Sequence, residues 1–428
     1  MSKVAVYEKY RHSGLNWLGD VPQHWEVKRV KDIVQKIGSG VTPLGGSEVY
    51  VDSGITFIRS QNVYDDGLRL NDVSFITNEV HKKMKSSQLK PNDILINITG
   101  ASIGRTCIVP RNIPTANINQ HIIYLRFKPK YVPYISNYFK TISVKDYINL
   151  IQAGTSKEAL NLGQTLNTAL ILPPLTEQKQ ISIYLDTKTQ AIEKKIHLLT
   201  TKIEYYKELR KTIINNAIYQ GIPNSKSKPK LKNSDVSYVN QLNANWNLVR
   251  VKDLFIIGRG RVIGQDLLVD NGRYPVYSSQ TENNGCLGYI ETYDFNSDML
   301  TWTTDGANAG TVFRRSGKFN CTNVCGTLLP IRKNLDLNYM VYALQVSAKH
   351  NKRIDTNGAK IMNNEMAVIQ IPFPTKTEQT EIANYLDIKI STIDKITTNL
   401  QSQIETLKEL RKTLINDVVT GKIKVIKD

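Results

Sequence analysis

The sequence predicts an α+β protein: two similar α/β domains, each followed by one long helix. Three observations predict it, namely an internal repeat, a change of texture inside each repeat, and an apolar stripe along each helix. Thr176-Glu177-Gln178 returns as Thr377-Glu378-Gln379, 201 positions later. At the same offset Lys207-Glu208-Leu209-Arg210-Lys211-Thr212 returns unchanged as Lys408-Glu409-Leu410-Arg411-Lys412-Thr413, so the chain is a tandem duplication. Trp25 with residues 27–32 matches Trp246 with 248–253 at an offset of 221, and Gly100-Ala101-Ser102-Ile103-Gly104 matches Gly306-Ala307-Asn308-Ala309-Gly310 at 206. The falling offset places about twenty extra residues in the first copy, mostly between Gln61 and Asp93.

The elements follow in order. Residues 25–174 and 246–374 hold short apolar runs broken by Gly, Asn, Asp and Pro. Ile55-Thr56-Phe57-Ile58, the run 93–98 and the run 121–127 read as strands, and 133–147 as a helix. A long helix then begins with Thr176 as N-cap and Glu177 in its first turn. Leu185, Ile192, Ile196, Leu199, Ile203 and Leu209 recur at helical spacing, as do Leu386, Ile390, Ile393, Leu400, Ile404 and Leu407 in the second copy. At 1.5 Å per residue each helix spans about 63 Å, too long for one small domain to cover, so each stripe is expected to pack on the other copy's. Gly221 and Gly421 end the helices, and 222–229 is a polar linker. The expected division is a first domain over 1–174, a helix over 175–221, linker and second domain over 222–374, and a second helix over 375–428.

Composition narrows the function. With 40% hydrophobic residues the chain is globular, and no apolar run is long enough to cross a membrane. The first residues lack a secretory signal, and four cysteines in 428 residues do not make a disulfide framework; a reducing cytoplasm is expected. The net charge of +18 points to a polyanionic partner. Counted separately, the two helices carry only +1, so the globular parts are the expected binding surface.

Catalytic signatures do not emerge. There is no Walker loop, Gly258-Arg259-Gly260 lacks the third glycine of a dinucleotide fold, and Pro173-Pro174 is not preceded by the Asn or Asp of an amino-methyltransferase string. The six His do not cluster with the Cys, and Cys321 with Cys325 read as buried thiols rather than zinc ligands. Asp93 and Asp298 recur but read as turn or strand-entry residues. No catalytic residue, metal ligand or resident cofactor is assigned.

Trp17-Leu18-Gly19-Asp20-Val21-Pro22-Gln23-His24-Trp25, the string Pro173-Pro174-Leu175-Thr176-Glu177-Gln178 and the duplicated helix together resemble the specificity subunit of bacterial type I restriction–modification systems, over nearly the whole chain. In the second copy Asn243 and Asn245 replace the motif's Pro and His, and Pro372-Phe373-Pro374 replaces its Pro-Pro. The resemblance implies two target-recognition domains, each reading half of a bipartite DNA site. It implies helices forming an antiparallel coiled coil, with the copies related by a pseudo-two-fold axis. It also implies two modification subunits that carry S-adenosylmethionine and methylate adenine N6, and restriction/translocase subunits that use ATP and Mg. A duplicated RNA-binding or structural scaffold is the rival; it calls for paired stacking aromatics, and the 21 Tyr do not recur in step. A self-sufficient enzyme would need the missing cofactor motif.

Base reading needs forked side chains on loops that occur at matching places in both copies. The candidates are Arg59, Gln61, Asn62 and Arg105 in the first domain, and Arg259, Arg261, Gln280 and Asn308 in the second. Gly38-Ser39-Gly40 and Gly258-Arg259-Gly260 are expected to allow close backbone approach to DNA. Lys82, Lys83, Arg314 and Arg315 are candidate phosphate contacts.

Overall fold

The computed structural model describes residues 5–152, 159–223, 229–234, 236, 238–356 and 358–425. They form two compact units, one of residues up to 199 together with those from 402 onward, the other of residues 200–401.

In the first unit Thr106–Ile108, Ile94–Asn97, Ile122–Arg126 and Lys36–Ser39 lie in that order in an antiparallel sheet. Its central strands are unbroken apolar runs because both faces are covered. Ile94, Ile96, Ile123 and Leu125 face one core, with Tyr134, Tyr138 and Ile148 from the helices Val132–Phe139 and Ile142–Ile151. Leu95, Ile122 and Tyr124 face a second, with Ile58 and Ile118. Asp93, at the entry to the central strand Ile94–Asn97, is a fully buried charge: it takes Nε and Nη2 of Arg126 at 2.6 Å each and the Lys90 amide at 2.7 Å. The helix expected over 133–147 is in fact two, because extended Thr141 caps the second by accepting from the Val144 amide at 3.3 Å.

The second unit repeats this order: Phe255–Arg259, Cys325–Pro330, Met299–Thr303 and Val312–Arg315 form the equivalent antiparallel sheet. A further sheet in each unit contains one parallel pair, Ala116–Ile118 with Ile55–Ile58 and Lys318–Cys321 with Tyr274–Tyr277. Cys321 and Cys325 therefore sit at strand ends, buried as free thiols.

The long helices run over Leu175–Gln220 and Lys376–Val419. Within the first unit, Ile181 and Leu185 share a core with Ile415 and Val418 while Glu193 pairs with Arg411, so the two stretches are antiparallel. The second unit shows the same relation: Ile214 and Ala217 share a core with Ile382, Leu386 and Ile390, and Arg210 lies 3.4 Å from Asp394. The second helix stops at Val419 rather than continuing to the chain end, and Gly421 follows with φ +78°.

Thr176 is not an N-cap. The first helix starts one residue earlier, its first free amides donating to Pro174 O at 2.9 Å, where Pro needs no hydrogen of its own. In the second helix Thr375 is the cap: its amide donates to Glu378 Oε2 at 2.8 Å, and its hydroxyl accepts from the Glu378 amide at 3.4 Å.

The repeat also extends upstream of Trp25, further than sequence matching reached. A hairpin of Tyr10–His12 with Asp20–Pro22 is matched by Leu231–Asn233 with Gln241–Asn243. Arg11 Nη2 donates to Trp25 O at 2.7 Å, and Lys232 Nζ donates to Trp246 O at 2.9 Å. In each pair the contact survives although the residue carrying it changes.

Candidate nucleic-acid interface

In each unit three chain segments end at one edge, and backbone hydrogen bonds lace the ends together. In the first, Gly40 N donates to Ile122 O at 2.9 Å, Val41 N to Ile118 O at 3.1 Å and Asn119 N to Ile58 O at 3.0 Å. In the second, Gly260 N donates to Cys325 O at 3.0 Å, Arg261 N to Cys321 O at 3.1 Å and Thr322 N to Tyr277 O at 2.8 Å. The loops that begin at Val41 and Arg59, and at Arg261 and Ser278, thus leave from the same edge of their own domains.

A third loop joins them. The Asn97 amide donates to Ser60 O at 2.7 Å and Ser102 Oγ at 3.1 Å, tying the Gly100 turn to the Arg59 segment. In the second unit Asn308 Nδ2 donates to Thr281 Oγ1 at 3.3 Å and does the same for the Gly306 turn. Gly104 and Gly310, at φ +78° and +86°, make these turns possible.

Arg59, Gln61 and Arg105 are therefore assembled at one edge, and Arg259, Arg261, Gln280 and Asn308 at the other. Arg105 stacks over Tyr64 at 4.9 Å, with Arg69 also 5.0 Å from that ring. Exposed Gln61 lies 3.3 Å from Asp72, and the Gln280 amide donates to Cys286 O. Arg259 donates to Asn323 O and, at 3.4 Å, to Thr304 Oγ1; Arg261 pairs with Asp294 at 2.9 Å. An exposed pair such as Arg261–Asp294 contributes about 0–1 kcal/mol, so phosphate oxygens can displace the carboxylate at little cost. Arg59 is half-buried, and its Nε, itself buried, has no hydrogen-bond partner among the described residues.

Two candidates are corrected. Asn62 is buried and saturated: its amide donates to Arg69 O at 3.0 Å and Asp72 O at 2.8 Å, and its Oδ1 accepts from the Arg59 amide at 2.9 Å. It shapes the loop that carries Arg59 and Gln61. Arg315 is also buried, its guanidinium 3.5 Å from the Tyr277 ring centroid. It donates to Thr301 Oγ1 at 3.1 Å and Asn284 O at 2.8 Å, and burial holds its pKa below the ordinary arginine value. Arg315 supports from beneath a loop whose Asn283 and Asn284 are left-handed, at φ 48° and 55°.

The glycine expectation is corrected too. A Cβ on Gly40 would lie 1.9 Å from Asn119 O, and one on Gly260 would lie 2.2 Å from Cys321 O. These glycines let the protein's own segments meet, so the close approach they permit is internal.

Lys82 and Lys83 lie apart on the helix Asn78–Lys83, which His81 holds to Asn117 at 2.5 Å. Both are exposed and, among the described residues, in no ion pair. Arg314 sits at the opposite end of its hairpin from Asn308, held by Asp298 at 3.2 Å and Asn338 at 3.0 Å. Replacing Lys82 and Lys83 together with alanine is expected to lower the slope of log K against log salt by about two if both meet phosphate, with the bases read unchanged. Binding isotherms at several salt concentrations check this.

The opening motif lies elsewhere and has another task. Trp25 Nε1 donates to Glu177 Oε2 at 3.3 Å, His24 Nε2 lies 2.9 Å from the same oxygen, and the Tyr7 hydroxyl donates to Oε1. Trp246 Nε1 donates to Glu378 at 3.2 Å in the equivalent place. Gln178 and Gln379 each donate to the proline carbonyl five residues back, at 2.7 and 2.9 Å. Trp, Glu and Gln thus pin each domain to the start of its helix.

Residues 22–204 and 243–406 match the model of the type I restriction modification DNA specificity domain. The chain belongs to the type I specificity-subunit family. A Mycoplasma pneumoniae protein named as a type I specificity subunit is 32% identical over 249 residues, 58% of this chain and 88% of its own length. The MpnII specificity subunit of the same organism is 33% identical over 183 residues, 42% of this chain and 54% of its own. Two solved structures share the fold. One, from work on assembly and conformational transition of the type I R-M system, has a TM-score of 0.72 at 14% identity, covering 94% of this chain and 99% of its own. The HsdS subunit from Thermoanaerobacter tengcongensis has a TM-score of 0.53 at 13% identity, covering 94% and 98%. Membership assigns this specificity subunit to DNA selection rather than to catalysis. No helix among the described residues is long and apolar enough to cross a membrane.

Proposed function

We propose that this specificity subunit reads a bipartite duplex target, one half-site per domain, inside a type I restriction–modification complex. One observation carries the reading: the same laced edge occurs twice with different side chains on it. A common frame bearing Arg59, Gln61 and Arg105 in one copy and Arg259, Arg261, Gln280 and Asn308 in the other suits two domains that read different bases. Two modification subunits carry S-adenosylmethionine and methylate adenine N6, restriction/translocase subunits use ATP and Mg, and this chain works beside them on DNA in the cytoplasm without a cofactor of its own.

The test is methyl transfer followed by mapping. Purified chain alone is expected to transfer no methyl group, and chain plus modification subunits to methylate adenines in a two-part motif of constant separation. Transfer by the chain alone, or methylation of one uninterrupted motif, would falsify the reading.

A further inference from the structure

Each laced edge carries an apolar side chain that the domain itself does not use. Leu44 is 100% exposed. It occupies the second position of a tight turn closed by Gly46 N donating to Pro43 O at 2.9 Å, with Gly45 at φ +96° in the third. Gly45, in the third position where this turn type needs a positive φ, fixes the turn, so the leucine is presented on a defined tip. In the second domain the segment after the same strand exposes Val262 by 75% and, further on, Leu267 by 48%, the last residue of a turn closed by its own N donating to Gly264 O at 3.2 Å. The residues differ, yet both copies place bare hydrocarbon at this point.

We propose that these two tips are wedges, pressed into the DNA to part neighbouring base pairs while the adjoining loops read base edges. The inference rests on the reading of the laced edges as DNA-facing, and it adds a way of deforming the target. The occupant follows from the neighbours. Val262 directly follows Arg261 and lies on the edge that carries exposed Arg259, and the Leu44 turn leaves the edge that carries Arg59 and exposed Gln61. Cations beside a defined apolar tip match a phosphate backbone beside stacked bases. Leucine is among the side chains that unstack base steps in this way.

The experiment uses the full chain assembled with its modification subunits and a duplex carrying the mapped target, with 2-aminopurine placed in turn along the first half-site. Wild type is expected to raise the fluorescence at one or two adjacent positions, as unstacking does. Leu44→Ala should abolish that rise and weaken binding roughly tenfold, since burial of most of a leucine side chain is lost. The salt slope should stay unchanged, because an apolar contact releases no counterions. Leu44→Met should keep both signals. Leu44 packs against nothing, so the thermal melt should not move. The wedge is overturned if Leu44→Ala binds and unstacks like wild type, if its salt slope falls by about one, or if the variant instead loses its modification subunits on gel filtration. A wild-type complex that fails to bind the mapped duplex sinks the parent reading, and the wedge with it.

Discussion

Replacing Arg126 with methionine is expected to destabilise the first unit by about 3–5 kcal/mol, the usual cost of leaving a buried charge without its partner. The Asp93 side chain is 0% exposed and that of Arg126 is 20% exposed, so water reaches the arginine and not the carboxylate. Both carboxylate oxygens take a guanidinium N–H at 2.6 Å, a forked pair in which the hydrogen bonds that Arg126 donates to Asp93 raise the arginine's pKa. Methionine fills similar volume but donates nothing, leaving one backbone amide on a buried charge at the entry to the central strand. Asp93→Asn should cost less, because the arginine it abandons can turn to solvent. Urea unfolding of the two single variants and the double variant measures the coupling, and a loss below 1 kcal/mol for Arg126→Met would show that the carboxylate finds water. Asp298, at the matching position, pairs instead with Arg314, and both side chains are about half exposed. Arg314→Met should therefore change stability by less than about 1 kcal/mol.

That contrast marks where sequence reading stops. Asp93 and Asp298 look alike in an aligned repeat, yet one is a buried ion-pair partner and the other a surface residue, because their partners come from different strands. The long helices were legible because 3.6-residue periodicity is a local signal, and the duplication because a packed seam tolerates few changes. The convergence of the Arg59, Arg105 and Gly40 segments was legible in part: matching positions in two copies pointed to the right loops. Side-chain fate within those loops was not. Asn62 and Arg315 have the chemistry of base and phosphate readers, and only the hydrogen bonds they accept and donate inside the domain reveal them as supports. The hairpin before Trp25 was illegible for a different reason. Arg11 and Lys232 perform one task, donating to a tryptophan carbonyl, with different side chains, so geometry is repeated where identity is not.

Trp25 is the position where loss should reach furthest along the chain. It is 1% exposed, sits edge-on to Tyr7 at 5.5 Å and donates to Glu177 at the start of the first helix. Beyond the end of the second helix, a Cβ on Gly421 would lie 3.2 Å from its ring. Gly421 O in turn accepts from the Tyr10 hydroxyl at 3.0 Å, and Lys424 N donates to Ala5 O at 2.8 Å. One indole thus joins the beginning of the chain, the first helix and the residues after the second. Trp25→Ala is expected to cost about 3–5 kcal/mol, as large-to-small changes at buried aromatic sites do. It should also speed amide exchange at Lys424 and along the end of the second helix. Trp246→Ala removes an equally buried ring, 2% exposed, but the helix end it holds, near Gly221, is joined to its own domain by a short stretch of chain. Its cost in stability should be similar and its effect on helix-end exchange smaller, since a short tether keeps the freed end close. Equal exchange effects from the two variants would mean that the tryptophan, rather than chain continuity, holds both ends. Trp25→Phe separates packing from polarity: the ring largely stays, Glu177 keeps His24 and Tyr7, and only about 1 kcal/mol should be lost.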